Sequence, residues 1–347
     1  MSLPTQLPQP KLPDPFAVPS LRWGVIGPGS IASVFVSSVH RHTGQRVVAV
    51  ASRDHARARH FAELHGIPNA LGSYDDLLAR SDIDAVYVAT RQHVHRDPVL
   101  AAIRAGKHVL VEKPIASLPA DARAIFEAAQ SANVLVMEAL WTAYLPQLDI
   151  IRQLLADGVL GDIRSVQADL GQDQSAAERM WEPEGGGASH DMGVYPLAFI
   201  RSVLRQDPDS VRAFGVLSDR GVDVELTLGL GYADGETALA SCSMLSNTRT
   251  AAWIDGQLGS LEVVAPFPVP TTLNLREPAF NPSVVATWTD QSDIQGHEGL
   301  CYQATAFASF VERGLTDSPI RSLEDGVRDV ELISLARHQI GAFYPGE

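Results

Sequence analysis

From Leu21 to about residue 140, short apolar runs alternate with stretches of helical periodicity, and this alternation narrows the possible folds more than any other feature. The apolar runs predict strands at Arg22–Ile26, Arg46–Ala51, Ala85–Ala89, Lys107–Val111 and Val134–Met137. The periodic stretches predict helices at Ser30–Arg41, Asp54–His65, Tyr74–Arg80, Val94–Ala105 and Leu118–Ser131. Nearly continuous apolar strands separated by helices indicate βαβ units around a parallel sheet that is buried on both faces. Residues 21–140 therefore predict a doubly wound α/β domain.

The pattern changes after residue 140. Helices are predicted near Tyr144–Asp157 and Pro196–Leu204, and alternating β-branched runs with Gly and Asp-Gly turns follow them. The predicted strands are Val222–Leu230, Thr237–Leu245, Thr250–Ile254 and Ser260–Val264, and helices near Leu300–Arg313 and Leu323–Gly341 close the chain. We expect an α+β domain over residues 141–347, with a large, mainly antiparallel, open-faced sheet and a last helix that packs back on the first domain.

Residues 1–20 contain six prolines and no periodicity. Such a segment forms neither a helix nor a central strand and is expected to be extended. Two interpretations remain open at this point: a loose tail, or an arm that packs on its own or a neighbouring subunit.

Composition excludes several classes of protein. Of the 347 residues, 45% are hydrophobic and 20% charged, which is ordinary for a globular chain of about two domains. No apolar run is long enough for a membrane span, and no secretory signal is visible. Two cysteines are too few for a disulfide framework, so we expect a reducing cytoplasm. Residues 141–347 hold 29 acidic and 13 basic groups, and such an acidic chain is a poor partner for nucleic acid.

A glycine-containing turn follows the first predicted strand and opens a helix. It reads G-x-G-x-x-A and consists of Gly27, Pro28, Gly29, Ser30, Ile31 and Ala32. In this position the first glycine permits the tight turn, the second lets the backbone approach a pyrophosphate, and the small sixth residue lets helix and strand pack closely. The turn predicts dinucleotide binding.

The end of the second strand bears on the choice of dinucleotide. An NAD site usually has an acidic residue there for the ribose 2′-hydroxyl, whereas this strand ends in Ser52, Arg53 and Asp54. Ser52 and Arg53 could hold a 2′-phosphate, and Asp54 is suited to cap the next helix. We therefore expect NADP, with NAD as a possible alternative.

Lysine is rare in this chain, because only Lys11, Lys107 and Lys113 occur among 27 basic residues. Lys113 lies in Glu112-Lys113-Pro114, directly after a predicted strand, and Thr90 to His95 follow a neighbouring strand. Residues at the carboxyl ends of parallel strands face the ligand crevice of an open α/β sheet. From position alone, a functional and a structural role for Lys113 are equally supported.

Several motifs together resemble the glucose–fructose oxidoreductase / inositol dehydrogenase / MocA family. They are the G-x-G-x-x-A turn, Thr90 to His95, Ala105-Gly106-Lys107-His108-Val109-Leu110-Val111-Glu112-Lys113-Pro114, Met137-Glu138-Ala139-Leu140-Trp141-Thr142, and the stretch from Gly185 to Pro196. The last two are similar to the branch of dimeric dihydrodiol dehydrogenases and NADP-dependent D-xylose dehydrogenases. The resemblance covers most of residues 22–205.

This resemblance implies an NADP-dependent oxidoreductase that acts on a hydroxyl of a sugar, polyol or cyclic diol. Lys113 would lie beside the nicotinamide and the reacting hydroxyl, while Asp191 and Tyr195 occupy a D-x-x-x-[H/Y] pattern with Tyr195 transferring the proton. An adjacent ammonium favours a phenolate and stabilises developing alkoxide charge. The resemblance also implies cofactor contacts from Thr90, His95 and Glu112, and a homodimer or homotetramer formed through the C-terminal sheet.

The sequence departs from the family pattern around the expected substrate pocket. Ala143, followed by Tyr144, stands where an arginine is common, Ser189 and His190 replace two apolar residues, and Arg91 replaces a proline. We expect substrate contacts from Lys113, Trp141, Tyr144, His190 and Tyr195, while a packed or solvated side chain remains the alternative for His190 and core packing the alternative for Trp141. No zinc-site spacing is present, so no metal is expected.

A competing function is a catalytically silent regulator that senses a nucleotide or sugar on the same fold. Retention of Lys113, Asp191 and Tyr195 together favours the enzyme, because a sensor has no need of all three.

Overall fold

The structure is a computed structural model that describes residues 3–345, and it divides into two compact units. The parallel-sheet unit comprises residues 13–144 and 296–330. The mixed-sheet unit comprises residues 3–12, 145–295 and 331–345. Across the described part of the chain, no helix combines the length and apolarity needed to cross a membrane.

The parallel-sheet unit is built on six parallel strands in the order β3-β2-β1-β4-β5-β6. They are β1 (Arg22–Ile26), β2 (Arg46–Ala51), β3 (Asn69–Leu71), β4 (Ala85–Val88), β5 (His108–Glu112) and β6 (Val136–Ala139). This is the strand order of a Rossmann sheet, and it confirms the predicted doubly wound fold. The order reverses between β1 and β4, so the loops that follow these strands border the ligand crevice.

Helices flank this sheet and bury its apolar strands. They are α1 (Ser30–His42), α2 (His55–His65), α3 (Tyr74–Leu78), α4 (Arg96–Arg104) and α5 (Pro119–Gln130), with α8 (Leu300–Glu312) packed on α1 and α9 (Leu323–Gln339) beginning in this unit. β1 is buried along four of its five residues, which fits the near-continuous apolar pattern of a central parallel strand. Sequence patterning missed β3, since three residues are too few to show a period.

The mixed-sheet unit contains eight strands in the order β14-β13-β12-β11-β7-β10-β9-β8. They are β7 (Ile163–Gly171), β8 (Ser210–Leu217), β9 (Asp223–Gly231), β10 (Thr237–Ser243), β11 (Ala252–Gly256), β12 (Ser260–Val263), β13 (Thr272–Arg276) and β14 (Val284–Thr289). All neighbouring pairs are antiparallel except β7 with β10. The predicted mainly antiparallel sheet is confirmed, although the sequence did not reveal β7, β8, β13 or β14.

One face of this sheet is covered and the other is open. Along β9, Leu226 and Leu228 are buried and alternate with partly exposed residues, as a half-buried antiparallel strand requires. Helix α7 (Val194–Leu204) packs on β7 and β10, and α6 (Pro146–Ala156) precedes β7. On the opposite face, Phe214 is 71% exposed and Leu239 is 44% exposed.

The described part of the proline-rich segment packs on its own chain. Leu7 is buried, the Lys11 backbone N–H donates to Asp149 Oδ2 at 2.7 Å, and Gln153 Nε2 donates to the Gln9 carbonyl at 3.0 Å. Asp149 and Gln153 lie one turn apart on α6. Residues 3–12 thus form an extended arm along this helix rather than a loose tail.

Candidate active site

The turn between β1 and α1 is shaped by two glycines. Gly27 has φ of +93°, and a Cβ there would lie 2.9 Å from backbone atoms of Ala89 and Thr90. A Cβ at Gly29 would meet no described atom within 4 Å, so open space adjoins the start of α1. The first N–H groups of a helix lack internal partners and stabilise an anion by about 0.3–1 kcal/mol.

The residues predicted to bind phosphate all lie on this turn or the first turn of α1: Gly27, Pro28, Gly29, Ser30, Ile31 and Ala32. Ala32 is fully buried, which accounts for the small residue that the motif requires at that position. Open space above a helix start is the arrangement that a pyrophosphate needs. The turn fits the predicted dinucleotide.

Asp54 and Arg53, which follow β2, have different surroundings. Asp54 caps α2, since its carboxylate accepts hydrogen bonds from Ala56 N at 2.9 Å and Arg57 N at 3.3 Å. Ser52 is buried, and its Oγ accepts from Asp54 N at 3.2 Å. Arg53 is exposed between them. The Asp54 carboxylate is therefore occupied by the helix, while Arg53 keeps the exposure that a contact with a 2′-phosphate requires.

His95 contacts both the loop after β4 and the loop after β5. This side chain is 1% exposed, its Nε2 lies 2.9 Å from the Thr90 carbonyl, and its Nδ1 lies 3.1 Å from the Pro114 carbonyl. Burial lowers the pKa of His95 to about 4, so the ring is neutral at pH 7 and carries a single N–H, which donates to one of these carbonyls while the other ring nitrogen only lies close to its carbonyl. The structure thus buries His95 between the two loops, whereas the sequence predicted a direct cofactor contact.

Thr90 lies at the same edge, beside the glycine turn. Its Oγ1 is buried and has no hydrogen-bond partner among residues 3–345. An unsatisfied buried hydroxyl is costly unless a ligand or water completes it. This orphaned atom next to Gly27 is a second feature that fits a bound dinucleotide.

Lys113 directly follows β5 and is partly exposed at the carboxyl edge of the sheet. The peptide bond between Lys113 and Pro114 is cis. Beneath it, the buried Glu112 carboxylate accepts hydrogen bonds from Tyr87 Oη and, at 3.2 Å, from the Lys113 backbone N–H. Burial raises the pKa of Glu112 to about 7, against the opposing effects of Tyr87 and Lys113. Glu112 is therefore a buried side chain that holds the Lys113 backbone, whereas the sequence predicted a cofactor contact from it.

A buried ion cluster holds the backbone two residues after the lysine. Glu138 Oε1 accepts from Ile115 N at 3.0 Å, and Glu138 Oε2 accepts from Arg321 Nε at 2.9 Å and Nη2 at 2.7 Å. Arg321 Nη2 also donates to Asp329 Oδ2 at 2.9 Å. All three side chains are 5% exposed or less. A Cβ at Gly326 would lie 2.9 Å from Glu138 Oε2, so α9 approaches closely only because this residue is glycine.

Two aromatic residues predicted to contact substrate lie inside the same unit. Trp141 is 3% exposed, and its ring lies 5.4 Å from that of His297. Tyr144 is 1% exposed, and its hydroxyl bonds to Ser318 Oγ at 2.9 Å. Burial has turned Tyr144 into a core residue, so the structure does not present it to a substrate as the sequence predicted.

His297 is a candidate site residue that the sequence did not indicate. Partial burial and then the charge of Lys113 lower the pKa of His297, so the two side chains lie within electrostatic range of each other. His297 belongs to a short helical turn, Gly296–Gly299, more than 180 residues after Lys113 along the chain. No local motif marks it, and only the fold brings it to this place.

The mixed-sheet unit carries the other two predicted catalytic residues. Asp191 lies in a π-helical turn, Ser189–Gly193, which runs directly into α7, and Tyr195 is the second residue of that helix. Both side chains are partly exposed. Arg179 Nη2 donates to Asp191 Oδ2 at 3.1 Å, and the two side chains form an ion pair.

His190 points away from solvent. It is 0% exposed, and its Nδ1 bonds to Tyr344 Oη. The sequence left open a substrate contact or a packed side chain for this histidine, and the structure packs its ring inside the unit against the C-terminal tail. Within residues 3–345, no group of three or more His, Cys, Asp or Glu side chains is arranged to hold a metal ion.

Comparisons with known proteins decide the family. Residues 21–140 match the Gfo/Idh/MocA family described as an oxidoreductase family with an NAD-binding Rossmann fold, and residues 149–262 match its C-terminal domain. The chain belongs to this oxidoreductase family. The predicted enzyme class is thereby confirmed over the alternative of a silent sensor.

Relatives of this Gfo/Idh/MocA member cover most of its length. Trans-1,2-dihydrobenzene-1,2-diol dehydrogenase of Xenopus laevis is 34% identical over 330 residues, which cover 93% of this chain and 99% of the relative. The enzyme of the same name from Sus scrofa is 31% identical, covering 94% and 98%.

Solved structures share the fold. A 3-ketoreductase from Actinomadura kijaniata, in complex with TDP-benzene and NADP, superimposes with a TM-score of 0.75 at 29% identity, covering 92% of this chain and 97% of that one. A levoglucosan dehydrogenase in complex with NADH and levoglucosan gives a TM-score of 0.82 at 20% identity, covering 92% and 98%. At 20% identity, the similarity to levoglucosan dehydrogenase shows a shared fold and nothing about function.

Proposed function

We propose that this chain transfers hydride between NADP and a secondary hydroxyl or carbonyl group of a cyclic trans-diol or a sugar. The observation that carries the proposal is that the chain keeps Lys113, Asp191 and Tyr195 at the family's motif positions while matching dihydrodiol dehydrogenases over 93% of its length. When bound, the dinucleotide supplies the hydride acceptor or donor at its nicotinamide ring. The Gly27–Ala32 turn and Thr90 would hold it.

Residues of the chain transfer the proton, stabilise the developing charge and bind the substrate. In the oxidative direction, the Tyr195 phenolic oxygen takes the proton from the substrate hydroxyl, and in reduction it returns that proton. The Lys113 ammonium stabilises the negative charge that develops on the substrate oxygen. Asp191 binds the substrate hydroxyl pair, and Arg179 orients its carboxylate.

A turnover assay tests this function. NADPH absorbance is followed with trans-1,2-dihydrobenzene-1,2-diol, aldoses, inositols and the corresponding carbonyl compounds. We expect turnover with at least one cyclic diol or sugar, and faster turnover with NADP than with NAD. Tight NADP binding without turnover of any compound would contradict the proposal and favour a sensor.

The preference for NADP predicts a selective effect of Arg53→Ala. Loss of one guanidinium contact to a 2′-phosphate should weaken NADP binding by about 10–100-fold and leave NAD binding nearly unchanged, since a charge-assisted hydrogen bond contributes roughly 1.5–3 kcal/mol. Isothermal titration with both dinucleotides measures the effect. Arg59→Ala, at an exposed position of α2, is the matched control and should change neither affinity. Equal weakening of NADP and NAD by Arg53→Ala would refute the 2′-phosphate contact.

We further propose that two or four copies associate through the open face of the mixed sheet. Phe214, Val216 and Leu239 are exposed there by 71%, 49% and 44%. Exposed apolar side chains clustered on one sheet face indicate an association surface. Light scattering should show a dimer or tetramer, and Leu239→Glu should shift it toward monomer. A monomeric wild-type protein would contradict this assembly.

A cytoplasmic location is also part of the proposal. Cys242 and Cys301 are both unpaired and buried, as thiols kept in a reducing compartment would be. Cell fractionation tests it, and recovery of the protein from an oxidising compartment would count against it.

A further inference from the structure

A buried cluster lies directly behind the turn that carries Asp191. It consists of Arg337 near the end of α9, Asp223 at the start of β9, Tyr344 in the C-terminal tail and His190, and we call it the tail cluster. These side chains are exposed by 2%, 0%, 5% and 0%. Arg337 forms an ion pair with Asp223, and its guanidinium carbon lies 3.8 Å from the centre of the Tyr344 ring.

Asp223 connects this ion pair to the start of the π-helical turn. Its Oδ2 accepts a hydrogen bond from Ser189 N at 2.8 Å. A Cβ at Gly187 would collide with Asp223 Oδ1, and the φ of Gly187 is +103°. Glycine is therefore required for the backbone to lie this close to the Asp223 carboxylate. The carboxylate therefore fixes the backbone immediately before Asp191.

Tyr344 contacts the same part of the backbone through its hydroxyl. Its Oη lies 3.3 Å from the Gly186 carbonyl and bonds to His190 Nδ1. One arrangement of protons satisfies both contacts, because a phenol oxygen can donate one hydrogen bond while accepting another. In it, His190 Nδ1–H donates to Tyr344 Oη, which donates to the Gly186 carbonyl.

We propose that Tyr344 and Arg337 are positioning residues for Asp191 and Tyr195, so that the C-terminal tail determines turnover without touching substrate. The inference rests on the proposed roles of Asp191 and Tyr195 in catalysis. The tail cluster fixes Gly186, Ser189 and His190, and the backbone then runs through Asp191 into the first turn of α7, which carries Tyr195. A displacement of about 1 Å in a catalytic group can cost roughly 100-fold in rate.

Tyr344→Phe tests the proposal, because phenylalanine keeps the ring beneath Arg337 and removes only the hydroxyl. We expect kcat to fall about 10–100-fold, while the NADP dissociation constant stays within about two-fold of wild type. Phe343→Leu is the matched control: Phe343 is the neighbouring tail residue, is 60% exposed and stacks on His338 outside the cluster. This control should leave both kcat and NADP affinity unchanged.

A second measurement does not depend on turnover. Hydrogen–deuterium exchange of the full-length protein should show faster exchange over residues 186–195 in Tyr344→Phe, by about 10-fold or more, and no change there in Phe343→Leu. If Tyr344→Phe is too unstable to study, Arg337→Lys, which keeps a cation near Asp223 but loses the planar guanidinium, takes its place.

The outcomes separate this inference from the proposed function. Unchanged kcat and unchanged exchange in Tyr344→Phe would overturn the inference while leaving the function intact. A wild-type protein without turnover would remove the proposed function, and exchange over residues 186–195 would still decide whether the tail fixes the turn. Loss of kcat with unchanged exchange would also overturn positioning through the turn.

Discussion

Lys113→Arg is expected to lower kcat by about 1,000-fold while NADP affinity stays within about three-fold of wild type. The guanidinium keeps the positive charge, but it is planar and larger than the compact ammonium, so it does not place a donor at the same point beside the developing alkoxide. The Glu112 carboxylate and the Ile115 N–H fix the backbone on either side of Lys113, which leaves little freedom for a longer side chain to adjust. Stopped-flow turnover and equilibrium NADP titration separate the two effects.

Lys107→Arg is the matched control for this substitution. Lys107 also adjoins β5, but its Nζ donates to the carbonyls of Arg80 and Ile83 at 2.6 and 3.0 Å, so its role is structural. We expect this variant to keep its kcat and to lose at most some stability. Normal turnover in Lys113→Arg, or an equal loss of kcat in both variants, would contradict a catalytic role for Lys113.

The sequence predicted the parallel-sheet unit more fully than the mixed-sheet unit, for a physical reason. Strands such as β1 and β4 are buried on both faces, so their residues form nearly continuous apolar runs. Strand β8 lies at a sheet edge, with Phe214 and Val216 exposed and Arg212 between apolar neighbours, which obscures any alternation. Strand β14 lies at the other edge and is similarly exposed.

Some residues of the site were also predictable from the sequence and others were not. Motif positions such as Gly27 and Lys113 depend on backbone context within a few residues, and the structure places them at the crevice edge as that context implies. Side-chain direction depends on distant partners. His190 turns inward to Tyr344, 154 residues later, and Tyr144 turns inward to Ser318, 174 residues later. No local pattern around these residues could reveal such partners.

Arg321→Met is expected to destabilise the parallel-sheet unit by about 3–5 kcal/mol, because it leaves Glu138 and Asp329 buried without their cation. Methionine fills a similar volume, so the loss reports the uncompensated charges rather than a cavity. Urea unfolding followed by tryptophan fluorescence measures the change, and Trp23 and Trp141 of this unit are both buried reporters.

Two further variants test whether the loss of stability in Arg321→Met comes from the unpaired buried carboxylates or from the loss of any arginine in this part of the chain. Arg328→Met removes an arginine that pairs with Glu324 on the exposed side of α9, and it should cost less than about 0.5 kcal/mol. The triple variant Arg321→Met, Glu138→Gln, Asp329→Asn should recover most of the loss, since it removes both buried charges and keeps an oxygen for the Ile115 N–H. If the triple variant is no more stable than Arg321→Met alone, the destabilisation does not come from unpaired carboxylates.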